Sequence, residues 1–136
     1  MRMDLKDSKK ENIKKNKHFI HSVKYAVQGI KTVFDEERNM RKHVFFGIVA
    51  VAAGLILGLS RFEWLWLLLS IFLVLFAEVM NTIFENVVDM VTECHFHPIG
   101  KKIKDMAAGA VLITAGFSVI VGLFIFLPRI YMLIFN

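Results

Sequence analysis

From Val44 onward the chain is apolar in three long blocks, broken by only two polar stretches, and such blocks need a bilayer or a very large core to hide in. The core is ruled out by size. With 136 residues the chain has the length of one domain, yet 56% of its residues are hydrophobic and the mean hydropathy is +0.54. The reading is therefore an all-α integral membrane protein with spans at about 44–60, 64–91 and 106–127. The first block, Val44–Leu59, reaches only roughly 24 Å at ~1.5 Å per residue. That is short for a hydrocarbon core of ~30 Å, so flanking residues must supply the rest. Ala50, Gly54 and Gly58 form one small-residue face, and Ala110, Thr114, Ser118 and Gly122 another; such faces let helices approach closely in lipid. Trp64 and Trp66 stand where an interfacial aromatic belt belongs.

Charge orients the spans. Residues 1–43 carry 12 of the 17 Lys and Arg, and the loop 92–104 adds Lys101, Lys102 and Lys104. Basic flanks face the cytoplasmic leaflet, so the N-terminus is expected inside and the C-terminus outside. This distribution accounts for the net charge of +5 without nucleic-acid binding, for which no aromatic-interleaved basic patch is present. Residues 1–17 lack periodicity and read as a mobile basic tail without the apolar core of a signal peptide. Residues 18–136 then form one domain. It opens with an amphipathic helix at 18–37, whose apolar Phe19, Val23, Val27, Ile30 and Phe34 oppose Lys24, Gln28 and Lys31, a pattern suited to a membrane surface. Pro128 is expected to end the last span.

The chemistry concentrates in the second span. At 100° per residue, Glu78, Asn81, Glu85 and Asp89 fall within roughly 80° of one helix face. Three acids so placed repel one another, and an acid at membrane depth needs a partner or water. A solvated helix end explains Asp89 and Glu85 but not Glu78, which follows an unbroken apolar run. Carboxylates in such a cluster hold hard cations, and one in a partly dry site serves as a base. Asp35-Glu36-Glu37 can meet the Glu85 end or remain a solvated run. Lys104 fits either a phosphate contact or an ordinary basic flank, and Asp105 suits the first turn of the last helix. Glu93, Cys94, His95 and His97 lack the doubled ligand spacing of a structural zinc site. Cys94, the sole cysteine, permits no intrachain disulfide. Residues alone thus leave open an enzyme, an ion-translocating oligomer, and a membrane subunit whose polar stripe merely joins helices.

The order Glu78-x-x-Asn81-Thr-Ile-x-Glu85-x-Val-Val-Asp89, His97-Pro98, Lys104-Asp105-x-Ala-Ala-Gly closely resembles the bacterial diacylglycerol kinase family of small membrane kinases. Upstream, Ala26-x-x-Gly29-Ile and Glu37-x-Asn39-x-Arg41-x-His43 resemble the same family. The upstream motif looks like its Gram-positive branch, whose members mostly phosphorylate undecaprenol, some diacylglycerol. The resemblance implies a homotrimer with shared active sites that uses ATP and Mg²⁺ on a membrane lipid alcohol. By the same resemblance, Glu78 is the general base, and Glu37 and Glu85 bind metal and nucleotide. Asn81, Asp89, Lys104 and Asp105 organise the site and phosphates, Tyr25 and His97 contact nucleotide, and Asn39 and Arg41 lie near the lipid. Phe34 departs from members that carry tryptophan there.

Overall fold

The structure, a computed structural model, describes residues 5–135, with side chains from 19 to 135. Four helices follow in order: α1, Leu5–Glu36; α2, Arg38–Leu57; α3, Arg61–Thr92; and α4, Pro98–Phe135. Residues 1–36 and 37–136 are separate compact units, and each is described by itself.

In the first unit, the expected tail is helical from Leu5. Residues 5–17 hold six Lys and neither Gly nor Pro, so propensity favours helix even without an apolar period. Residues 1–4 lie outside the described segment. The predicted amphipathic stretch 18–37 continues the same helix to Glu36.

In the second unit, α2, α3 and α4 are each long and apolar enough to cross a membrane. The short first block is completed from its N-terminal side. Helix α2 starts at Arg38, six residues before Val44, and its 20 residues reach ~30 Å. Gly58 ends it at φ 62° and ψ 57°, a left-handed conformation that glycine adopts without penalty. Ser60 then caps α3 in a capping box. Its hydroxyl accepts from Glu63 N at 3.4 Å, and its own N–H donates to Glu63 Oε2 at 2.7 Å.

Helix α4 differs from expectation at both ends. The predicted loop 92–104 shrinks to residues 93–97, because His97 Nδ1 accepts from Ile99 N at 3.2 Å and Gly100 N at 3.4 Å and so starts the helix at Pro98. Glu93 and Cys94 turn the chain with φ of 50° and 59°. At the other end Pro128 does not stop the helix, which runs on to Phe135. The continuation carries Arg129 to the α2–α3 corner. There its Nη1 donates to the carbonyls of Leu57 at 2.8 Å and Gly58 at 3.1 Å, while Nε and Nη2 donate to Glu63 at 3.1 and 2.6 Å. These contacts offset the ladder bond the proline removes.

The core sits at this end. Leu59, Leu67, Val121 and Ile125 are buried, with Ala50, Trp64 and Phe117 packed on them. Trp64 therefore joins the core rather than an aromatic belt, whereas Trp66 is exposed and meets Phe62 and Phe117 edge-on. The small face of α2 is a true close approach: a Cβ on Gly54 would lie 2.8 Å from Leu59 Cδ1 and 3.0 Å from Trp64 Cη2. On the α4 face there is no such close approach at its one glycine, since a Cβ at Gly122 meets nothing within 4 Å.

Candidate active site

Glu78 stands on α3 with its residue only 1% exposed. It is held deep because Leu67, Ser70 and Val74, about three, two and one turns before it, and its neighbour Ala77 all face the interior. Ser70 satisfies itself through Leu67 O at 2.8 Å, and Thr82 bonds Glu78 O at 3.0 Å. Glu78 has no such relief. Its Oε1 has no hydrogen-bond partner among the described residues, and its Oε2 lies 3.8 Å from His43 Nε2 on α2. Leaving a buried carboxylate oxygen unbonded is costly, and the cost points to a working group.

One turn on, Asn81 Nδ2 donates to Glu85 Oε1 at 3.0 Å, while Asn81 Oδ1 is the second buried polar atom without a partner. The charges of Glu37 and Glu85 act on Glu78. Glu37 is the single residue between α1 and α2 and caps α2 through its backbone alone, so its carboxylate is not spent on the helix end. Further along, Lys104 of α4 bonds Asp89 Oδ1 at 2.6 Å, and Glu85 contributes to its field. The predicted carboxylate face is therefore real, and Lys104 docks on it.

Other expected site residues stand elsewhere. Asp105 pairs with Lys101 at 2.5 Å on an exposed stretch of α4. His97 spends Nδ1 on the α4 cap. Asn39 lines a cavity of about 320 Å³ with Lys42, His43 and Ala108, and Arg41 is exposed on α2. Tyr25 belongs to the first unit, its ring 6.5 Å from that of His21. No group of three or more His, Cys, Asp or Glu among the described residues is arranged to hold a metal. Sequence reasoning missed His43 as a site residue. The signal was present, since His43, Gly47, Ala50 and Gly54 recur along the packing face of α2.

A buried, incompletely bonded acid on a helix long and apolar enough to cross a membrane marks a candidate functional site. The comparisons agree. The model of the prokaryotic diacylglycerol kinase family matches residues 24–126. The undecaprenol kinase of Bacillus subtilis (strain 168) is 38% identical over 128 residues, 94% of this chain and 100% of that protein. The diacylglycerol kinase of Synechocystis is 39% identical over 107 residues, 79% of this chain and 61% of that protein. That of Haemophilus influenzae is 32% identical over 97 residues, 71% of this chain and 80% of that protein. This chain belongs to the prokaryotic diacylglycerol kinase family, and its motifs fit the Gram-positive branch. Membership makes it a lipid kinase.

Proposed function

We propose that the protein transfers the γ-phosphate of ATP to the hydroxyl of undecaprenol, with diacylglycerol as a poorer acceptor. The observation that carries the reading is Glu78: buried, partly unbonded, and one turn from the Asn81–Glu85 pair. The polyprenyl preference rests on the similarity to the B. subtilis enzyme along its whole length, while other relatives are named for diacylglycerol.

In this mechanism the lipid hydroxyl attacks the γ-phosphorus as its proton passes to Glu78. The new O–P bond forms as the bridging P–O bond breaks, and the electron pair leaves with ADP. Lys104, steadied by Asp89, supplies a point charge toward the phosphates. Asn81 holds Glu85 in place, and the assignment of Tyr25, His97 and Asp105 to the nucleotide rests on the family resemblance alone. Asn39 and Arg41 lie toward the lipid. The donor set suits Mg²⁺, which takes one or two carboxylates and completes its shell with phosphate and water oxygens. Glu85 and Glu37 would hold it, and when bound it neutralises phosphate charge. The homotrimer with shared sites is kept in this reading as what the family resemblance implies.

The test is ATP-dependent labelling of undecaprenol and diacylglycerol by the purified protein in mixed micelles. A higher kcat/KM for diacylglycerol overturns the acceptor assignment, and no labelled lipid at all overturns the kinase reading. ATP also requires the site to face the cytosol, with the N-terminus inside. A cysteine at exposed Lys102, in a Cys94→Ser background, should resist impermeant thiol reagents in intact cells, whereas one at exposed Phe135 should react. The reverse pattern removes ATP as donor.

A further inference from the structure

Between α2, α3 and α4 lies a cavity of about 310 Å³ whose walls include Gly47, Ala50, Ala115, Ser118 and Gly122. It is mostly apolar, with Ser118 and His43 as its polar side chains, and His43 is the lining residue nearest the start of α2. The same His43, with Ala115, also lines the 320 Å³ cavity that holds Asn39 and Lys42. The imidazole thus stands where the two cavities meet, on the side of Asn39 and Lys42. It also lies beside the buried acid. The separation of 3.8 Å between His43 Nε2 and Glu78 Oε2 is too long for a hydrogen bond. It suits two groups that share a third atom, since one oxygen can stand about 2.8 Å from both.

We infer that His43 is a positioning residue that holds the acceptor hydroxyl on Glu78, with the first part of the lipid chain lying in the cleft below it. The inference rests on the kinase reading. A hydroxyl has one proton and two lone pairs. The proton points to Glu78 Oε2, one lone pair accepts from His43 Nε2–H, and the other is left to attack phosphorus. Neither His43 nor Glu78 alone fixes all three directions. The small side chains along the cleft leave room for a chain, and its apolar walls exclude water from the reacting oxygen.

The experiment uses the full chain in mixed micelles, varying undecaprenol and ATP separately. His43→Leu should lose ~10–100-fold in kcat/KM for the lipid, the usual cost of a misplaced reactant. The KM for ATP should stay within about twofold, because His43 lies on the acceptor side. His43→Gln, whose amide reaches the Nε2 position, should recover most of the rate, and His43→Asn, whose amide stops at the Nδ1 position, should not. A purely packing role predicts that Gln and Asn behave alike, and that outcome overturns the inference, as does a parallel rise in the KM for ATP. If His43→Leu does not elute as the wild type does, the Gln and Asn pair still decides. Wild-type protein that labels no lipid condemns the kinase reading instead, so the two failures are distinct.

Discussion

The two ends of the α2–α4 bundle treat polar groups in opposite ways. At the Arg129 end the half-buried groups answer one another. Both Glu63 oxygens accept hydrogen bonds, Arg129 donates four, and the Leu57 and Gly58 carbonyls accept two of them. At the Glu78 end, one carboxylate oxygen and one amide oxygen are buried without partners among the described residues. The first end closes the bundle, because satisfied polar networks rigidify a core. On the proposed function, the second gives up stability to keep acceptors ready for groups that arrive from outside.

That contrast can be broken at several points. The largest effect is expected at Glu78→Gln, which keeps size and fold but removes the base. Turnover should fall ~10²–10⁴-fold with elution from a sizing column unchanged. Near-normal turnover would strip Glu78 of its role. Next come Glu85→Ala and Glu37→Ala, which should each raise the Mg²⁺ needed for half-maximal rate by ~10-fold or more and weaken ATP binding. Superimposable Mg²⁺ titrations would mean these acids are only surface charges.

At the closed end the expected change moves from rate to stability. Arg129→Met removes the donor to Glu63 Oε1 and to two carbonyls, and leaves Glu63 Oε2 with the Ser60 N–H alone. Heating in detergent should show unfolding lowered by roughly 5 °C, while the rate per folded molecule at low temperature stays close to wild type. Loss of rate with unchanged unfolding would erase the distinction between the ends. The smallest effect sharpens it further. Gly54→Ala drives a methyl into Leu59 and Trp64, and overpacking of this kind costs ~1–3 kcal/mol. Gly116→Ala meets open space and should be neutral, or stabilising by up to ~1 kcal/mol through helix propensity. Denaturant titration of the two variants side by side tests the opposite signs, and equal shifts would mean that α2 has no tight approach.

The sequence by itself determined what repeats over short distances. Apolar runs of the right length marked three crossings, and the 100° turn of a helix placed Glu78, Asn81, Glu85 and Asp89 on one face. The motif order from Glu37 to Asp105 was enough to place the chain in its family. Local signals misled where a distant partner intervened: Pro128 reads as a stop until Arg129 is seen to need the helix, and Trp64 reads as a belt residue until Gly54 opens a place for it. What only the tertiary structure decided are pairings across the chain. Lys104 reaches Asp89 over 15 residues and Arg129 reaches Glu63 over 66, while His43 comes to Glu78 from another helix altogether. Periodicity states which side of a helix a residue occupies, but not which helix will face it. That choice is made by close packing, here by the approach that Gly54 and Gly47 allow between α2 and α3.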